Sequence, residues 1–168
     1  MQIKAISHIG FNCKDLDASA DFYCKILGAR VKFYLTYGDV VDDLRRQCAE
    51  SKKPEPPYLT ELQKYADKKW SVSLQLSEDS FIELFYVIGA NKEYIPDRYD
   101  LNYSHYSLEV ADIRAFREKV IANGGEAFLD TDISVGLDLA LQMWMHDPDG
   151  NKFEITEYTM DSMQITGR

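Results

Sequence analysis

The fold is decided by a stretch that occurs twice: residues 8–28 read HIGFNCKDLDASADFYCKILG, and residues 105–125 read HYSLEVADIRAFREKVIANGG. A shift of 97 positions superimposes the two copies, so that His8 falls on His105 and glycine falls on glycine at the end. Each copy begins like a strand and continues like a helix, and a terminal glycine is typical of a helix C-cap. The repeat therefore predicts two related modules in one chain.

Within the first copy, the apolar–polar alternation of residues 3–12 predicts a β-strand. Asp15 is expected to cap the helix that follows, because its carboxylate can accept hydrogen bonds from the free N–H groups of the first turn. Apolar residues at three- and four-residue spacing then predict a buried helical stripe, formed by Leu16, Ala20, Tyr23 and Leu27. Gly28 is expected to end the helix.

The remaining segments complete the same plan in both copies. The first copy continues with predicted strands at 31–36, 72–76 and 81–87. The second is predicted to contain a strand at 103–110, a helix capped by Asp112 and ending near 122, and strands at 127–129, 139–145 and 152–158. Residues 147–150, Asp-Pro-Asp-Gly, predict a tight turn before the last strand. Each copy is thus predicted to be a βαβββ module, which makes the fold class α+β.

The two copies differ in length because of one predicted insertion. From His8 to Glu83 there are 75 positions and from His105 to Glu154 there are 49, so the first copy is longer by 26. The excess fits an insertion at about 37–69 with helix-like pieces at 40–50 and 59–68. We interpret it as a lid over a site or an oligomer contact; a plain surface decoration is the alternative.

The domain prediction is a single domain over residues 1–168, long enough for one sizeable core. Module one covers 1–90, module two covers 101–159, and a polar tail covers 160–168. A net charge of −9 argues against nucleic-acid and anionic-membrane partners, which require basic surfaces. No apolar run reaches the length of a membrane span, and the three cysteines lack metal-binding spacing. We expect a cytoplasmic protein with reduced thiols.

Four residues form the candidate metal site: His8, Glu83, His105 and Glu154. A single strand histidine is usually structural, and a single strand glutamate usually faces solvent. The chain has only three histidines, however, and two of them lie at equivalent places of the repeat. Each glutamate lies in the last strand of its module between apolar neighbours, so alternation directs it away from the core layer. Imidazole and carboxylate ligands suit one divalent ion of Zn, Ni, Co, Mn or Fe.

Four further residues are candidates for contacting a small-molecule substrate. Tyr103 shares the strand face of His105 and could donate a hydrogen bond. Asn12 and Gln75 are similar candidates in the first module. Trp144 could line the site, with core packing as its alternative role. The third histidine, His146, is assigned a structural or solvent role, with substrate contact as the alternative.

These motifs resemble the vicinal oxygen chelate superfamily, which includes glyoxalase I, methylmalonyl-CoA epimerase, extradiol dioxygenases and the fosfomycin- and bleomycin-resistance proteins. The resemblance rests on residues 8–28 and on HDPDGNKFEITEY at 146–158, whose DPDGN turn leads into a strand carrying a ligand glutamate. It implies paired βαβββ modules that curl into a cup-shaped mixed sheet around the metal. The cup forms within one chain or from modules of two chains, and a homodimer is expected.

The ligand set narrows the activity that the resemblance implies. Extradiol dioxygenases use two histidines and one glutamate, so the additional Glu83 resembles the glyoxalase I and isomerase pattern. Glutathione-dependent members typically have Arg four residues after the first histidine and Asn four residues after the first glutamate; here Asn12 and Val87 occupy those positions. Methylmalonyl-CoA epimerases usually carry an HPKDxxG-type turn, which differs from residues 146–150. Neither glutathione nor coenzyme A is therefore the expected substrate carrier.

The leading hypothesis is a metal-dependent lyase or isomerase of the glyoxalase type. The ion would chelate adjacent oxygens of a small hydroxy-carbonyl or dicarbonyl substrate, and Glu83 or Glu154 would move a proton at carbon. Two alternatives remain open: a non-catalytic protein that binds or sequesters a small molecule, and an Fe(II) extradiol dioxygenase.

Overall fold

The computed structural model describes residues 5–89 and 104–167. The first copy forms β1 (His8–Cys13), α1 (Leu16–Lys25), β2 (Arg30–Thr36), α2 (Tyr37–Ser51), α3 (Tyr58–Gln63), β3 (Lys69–Gln75) and β4 (Phe81–Tyr86). The second copy forms β5 (Tyr106–Glu109), α4 (Ile113–Ala122), β6 (Ser134–Val135), β7 (Leu141–His146) and β8 (Lys152–Glu157), and the tail contains α5 (Met163–Thr166). Parts of the predicted strands 3–12 and 103–110 lie outside the described residues.

Each copy builds a four-stranded mixed sheet with the same strand arrangement. The orders are β1-β4-β3-β2 in the first sheet and β5-β8-β7-β6 in the second. In both sheets the first and last strands of the copy pair in parallel, and the remaining pairs are antiparallel. The α+β class and the βαβββ plan are therefore confirmed, and the extra length of the first copy contains α2 and α3, between β2 and β3.

The chain forms two compact units that divide within α1. One unit contains the described residues up to 20 together with 28–89, and the other contains Asp21–Leu27 together with 104–167. The last part of α1 thus belongs structurally with the second sheet although it lies in the first sequence copy. Phe22, which the predicted stripe omitted, is buried like Tyr23, so this helix is buried over a wider arc than one stripe. Ile26, the first residue after the helix, is also buried.

The first unit has its core on one face of the sheet β1-β4-β3-β2. Val72, Leu74, Ile82 and Leu84 alternate along β3 and β4 and are fully buried. Because side chains alternate across a strand, the residues between them point to the opposite face. The core therefore decides which side chains of β4 are available for a site.

The insertion is anchored to the first unit by buried and capped residues. Thr36 caps α2: its hydroxyl accepts the backbone N–H of Asp39, whose carboxylate in turn accepts the backbone N–H of Thr36. The Asp39 carboxylate accepts hydrogen bonds from both the backbone N–H and the hydroxyl of Thr36, which hold its pKa below the usual range. Val41 of α2 and Leu59 of α3 are buried. The guanidinium of Arg45 donates to Gln63 at 2.8 Å, which joins the two helices. The lid role remains a prediction.

The second unit buries the corresponding face of the sheet β5-β8-β7-β6. Met143, Met145, Phe153 and Ile155 are fully buried there. The ring of Phe22 from α1 packs edge-on to Phe153 at 6.3 Å between centroids. The fully buried apolar residues of β7 and β8 therefore occur at every second position, like those of β3 and β4, as expected from two copies of one module.

A buried polar contact joins α1 to the turn after β7. Tyr23 Oη donates a hydrogen bond to Asp147 Oδ2 at 3.0 Å and lies 3.3 Å from Tyr106 Oη. Burial, aided by the neighbouring Tyr106 and Asp147, raises the pKa of Tyr23, so the phenol stays protonated. Burial also raises the pKa of Asp147, against the opposing effect of its hydrogen bonds from Asn151 and Tyr23.

Three local predictions for the second module can be compared with the structure, and two of them are confirmed. Gly150 has a φ of 84° and its N–H bonds Asp147 O at 2.9 Å, and Asp112 caps α4 as expected. The strand predicted at 127–129 is wrong: Glu126–Phe128 is a 3₁₀ helix. Packing of Phe128 against Phe22 at 4.6 Å fixes this turn, and Leu129 forms only an isolated bridge to Met145.

Two further features concern the cysteines and the length of the helices. None of Cys13, Cys24 and Cys48 forms a disulfide bond. Among the residues that the structure describes, no helix combines the length and the apolar character needed to cross a membrane.

Replacing Tyr23 by Phe tests the buried contact. The change removes the donor to Asp147 and leaves that carboxylate with one fewer partner in a buried place, so we expect a loss of about 1–3 kcal/mol in the free energy of unfolding. Chemical denaturation monitored by circular dichroism measures it. Tyr158→Phe, at a partly exposed tyrosine of the same unit, is the control and should change stability little. Equal stability of both variants would contradict the assigned contact.

Candidate functional site

The first His–Glu pair, His8 and Glu83, lies on the face of the first sheet opposite its core. In the parallel pairing of β1 with β4, Gly10 is opposite Glu83, and His8 is two residues before Gly10 on the same face. His8 Nε2 lies 3.6 Å from Glu83 Oε2. The side chains are 53% and 30% exposed, so the pair is open to solvent.

The second pair, His105 and Glu154, has the same register in the second sheet. In the parallel pairing of β5 with β8, Ser107 is opposite Glu154, and His105 is two residues before Ser107. Ser107 corresponds to Gly10 under the shift that superimposes the copies. In each unit, a histidine and a glutamate therefore lie diagonally across a pair of parallel strands, with the glutamate opposite the residue two places after the histidine.

Burial explains why both glutamates lie on the open face. Glu83 is between Ile82 and Leu84, and Glu154 is between Phe153 and Ile155, all four of which are fully buried. A carboxylate turned to that side would lose hydration inside an apolar core, at a cost of several kcal/mol. The strands are therefore held in the register that keeps both carboxylates outside the core.

The geometry of the first pair suits a shared metal ion. Ligand atoms about 2.1 Å from one ion are about 3.0–3.5 Å apart at octahedral or tetrahedral angles, and the observed 3.6 Å requires only a small adjustment. Imidazole nitrogen and carboxylate oxygen are also the donor types that Zn, Ni, Co, Mn and Fe accept.

Across residues 5–89 and 104–167, no group of three or more His, Cys, Asp or Glu side chains has the spacing to hold a metal.

The two pairs have different neighbours. Glu83 is flanked by Gly10 on β1 and by the buried Ser73 on β3. Glu154 is flanked by Ser107 on β5 and by Trp144 on β7. The Trp144 ring stands edge-on to the His105 ring, with centroids 4.7 Å apart. Trp144 thus lies on the site face of its sheet, beside a predicted ligand.

The other predicted substrate contacts are placed less directly. Asn12 is exposed on the face of His8 and pairs with Phe85, whose ring covers Gly10. Gln75 donates its amide to Glu78 O at 3.2 Å, which braces the turn between β3 and β4. Tyr103 lies outside the described residues. Substrate contact by these residues remains a prediction.

The structure also shows polar contacts that the sequence reasoning missed. Ser7 Oγ lies 3.0 Å from His8 Nδ1, and Ser104 Oγ lies 3.0 Å from His105 Nδ1. The sequence contains a sign of these contacts, because a serine directly precedes the histidine in both copies. The third histidine, His146, is held through Nδ1 by Asp130 at 2.8 Å.

Comparisons with known proteins agree with this architecture. A family model of the Glyoxalase/Bleomycin resistance protein/Dioxygenase superfamily matches residues 5–155. A protein of Escherichia coli O157:H7 named lactoylglutathione lyase is 28% identical over 152 residues, which cover 89% of this chain and 90% of the relative.

Solved structures resemble the fold at lower sequence identity. The glyoxylase/bleomycin resistance protein/dioxygenase domain from Frankia sp. EAN1pec has a TM-score of 0.63 at 17% identity, covering 94% of this chain and all of that one. Fosfomycin resistance protein FosX from Mesorhizobium loti has a TM-score of 0.57 at 15% identity, covering 99% and 100%. The family match over most of the chain and the repeated βαβββ architecture agree: this chain belongs to the Glyoxalase/Bleomycin resistance protein/Dioxygenase superfamily.

Proposed function

We propose that this protein is a metal-dependent lyase or isomerase of the glyoxalase type. The observation that carries the proposal is the repeated diagonal of histidine and glutamate, with the same register in both sheets. Two unrelated surface pairs would have no reason to share a register, whereas ligands of one ion retained in both copies of a module would. The relative named lactoylglutathione lyase supports the lyase class.

The proposed ligands of one divalent ion are His8, Glu83, His105 and Glu154. The superfamily generally uses a divalent metal. Two neutral imidazoles and two carboxylates balance a 2+ charge, so the proposed site has little net charge to repel or trap a substrate. When bound, the ion supplies Lewis-acid polarisation of substrate oxygens, which acidifies a neighbouring C–H bond. The homodimer expected from the family resemblance stays a prediction.

The chain's own contribution to catalysis is proton transfer by a carboxylate. Glu83 and Glu154 are each partly exposed on the open face of their sheet, so either can reach a bound substrate. One carboxylate removes a proton from carbon and the proton is returned to a neighbouring atom, which changes the position of a hydrogen without any redox step. We favour Glu154 as the base, although Glu83 has the equivalent position in the strand pairing of the first unit.

Each unit has an aromatic side chain on the sheet face of its His–Glu pair, and in the first unit it lies two strands away from Glu83. In the first unit, Phe33 pairs with Ser73 and is 49% exposed, and Asn12 is exposed near His8. In the second unit, Trp144 stands beside His105. Aromatic surface next to a polar metal site suits a substrate with a vicinal oxygen pair and an apolar remainder.

We do not propose glutathione as a co-substrate of this reaction. Asn12 stands where glutathione-dependent members of the family typically have arginine, and an amide cannot form the bidentate ion pair with a carboxylate that a guanidinium forms. Val87, which stands where they typically have asparagine, is 38% exposed and offers no hydrogen bond. A dicarbonyl or hydroxy-carbonyl without a glutathione adduct is the proposed substrate class.

A second candidate function is binding without catalysis. The exposed Phe33 and the site-facing Trp144 favour it, because aromatic side chains on an open face can sequester an aromatic molecule without metal. In that case ligand affinity would be unchanged by chelators. Metal-dependent affinity would instead favour the enzyme.

Metal content tests the ligand set. Protein purified without added metal or a nickel column is expected to contain about one divalent ion per chain by mass spectrometry of the element. His8→Ala and His105→Ala should each lose most of it, because each removes one of two nitrogen ligands. His146→Ala is the control, since this histidine is held by Asp130 and is not a proposed ligand. Absence of metal, with no uptake of offered Ni, Zn, Mn, Co or Fe(II), would rule out the enzyme proposal.

Conversion of Glu83 or Glu154 to Gln tests proton transfer. Turnover is expected to fall by about 10²–10⁴-fold in each variant, because an amide cannot accept the proton. The assay uses small dicarbonyl and hydroxy-carbonyl compounds, each with and without glutathione. Glu109→Gln, at an exposed glutamate of β5, is the matched control. Full activity in both site variants would refute the role of these carboxylates.

A further inference from the structure

A serine precedes each proposed histidine ligand and contacts the same ring atom in both copies. Ser7 Oγ is 3.0 Å from His8 Nδ1, and Ser104 Oγ is 3.0 Å from His105 Nδ1. The shift that superimposes the two histidines also superimposes the two serines. The contact is therefore part of the repeated module, like the His–Glu diagonal itself.

The contact determines which nitrogen is available to an ion. An imidazole can bind metal through either nitrogen, and the hydrogen bond of one nitrogen selects the other for the metal. With Nδ1 engaged by serine, Nε2 is the atom left to bind. In the first unit, Nε2 is indeed the atom that lies 3.6 Å from Glu83 Oε2.

The chemistry of a neutral imidazole gives the direction of the hydrogen bond. One ring nitrogen carries a proton and the other carries a lone pair. An Nε2 that binds metal must offer its lone pair, so the proton is on Nδ1 and needs an acceptor. A serine hydroxyl oxygen can accept it without adding charge to the site.

The first serine is also tied to the strand that carries the glutamate. The backbone carbonyl of Ser7 accepts the N–H of Phe81 at 3.0 Å, at the start of β4. Two residues further along β4 is Glu83. The hydroxyl that contacts the imidazole and the carboxylate that faces it are therefore positioned by one pair of hydrogen-bonded strands.

We infer that Ser7 and Ser104 are positioning residues for the metal site, each accepting the Nδ1–H of the following histidine so that its Nε2 lone pair is directed to the ion. The inference rests on the proposed metal function, but its effect on the imidazoles exists before any metal binds. The serines make no contact with substrate in this scheme.

The test compares Ser7→Ala, Ser104→Ala and the double variant with the wild type. Nitrogen-15 NMR of the histidine rings in metal-free protein, at a pH where they are neutral, reports the tautomers. We expect a larger Nδ1–H fraction in the wild type than in the alanine variants. Zn²⁺ affinity, measured by competition with a chelating dye, is expected to fall by about 10–100-fold, the usual effect of removing such a partner.

Three further variants separate hydrogen bonding from structure. Ser7→Thr and Ser104→Thr keep the hydroxyl and should retain both the tautomer and the affinity. Ser77→Ala, at an exposed serine in the turn between β3 and β4, should match the wild type in both measurements. Circular dichroism confirms that each variant is folded, which is expected because Ser7 and Ser104 are exposed.

The outcomes distinguish this inference from the proposed function. An unchanged tautomer in the double alanine variant would overturn it, and so would a changed tautomer with unchanged Zn²⁺ affinity. If the wild type binds no metal at all, the proposed function fails and the metal-positioning role fails with it. The tautomer comparison then still decides whether the serines orient the imidazoles.

Discussion

Parallel pairing between the first and last strands of each module is the constraint on which the candidate site depends. In both sheets the pairing sets the last-strand glutamate opposite a residue two places after the histidine, Gly10 in one case and Ser107 in the other. The two side chains of a pair meet because of register, although many residues separate them in sequence. The insertion of α2 and α3 leaves the register unaffected, because it enters between β2 and β3, away from the pair β1–β4. Loops that connect packed strands tolerate such additions.

Much of this arrangement could be predicted from the repeated pattern and from strand alternation. Strand alternation predicts that Glu83 and Glu154 lie on the face opposite the core, because the residues directly before and after each glutamate are apolar. Tertiary packing explains the failures. Residues 127–129 have a strand-like composition, but packing of the Phe128 ring against Phe22 stabilises a 3₁₀ turn. The two-residue strand β6 is too short for any periodic signal.

The helix α1 shows a different limit of sequence reasoning. A single apolar stripe was expected, yet Phe22 is buried beside it, and the last part of the helix belongs to the second unit. A helix buried over a wide arc has apolar residues at more spacings than one stripe predicts. Likewise, alternation gives no means of predicting that a serine beside a histidine contacts its ring. Ser7 and Ser104 precede the first residues of β1 and β5, where regular alternation does not yet apply.

What the two copies share and where they differ suggest a division of tasks under the proposed function. The shared elements are the histidine, the glutamate and the preceding serine, which are the groups that an ion and its imidazole ligands require. The differing elements are the neighbours: Ser73 beside Glu83, and Trp144 beside Glu154 and His105. A metal ion has no preferred side, so two equivalent His–Glu pairs suit it as ligands under this proposal. An asymmetric substrate, in contrast, must be oriented by surfaces that differ. We therefore expect the neighbours that differ between the copies, Ser73 and Trp144, to orient the substrate. The same difference should determine which carboxylate takes the proton.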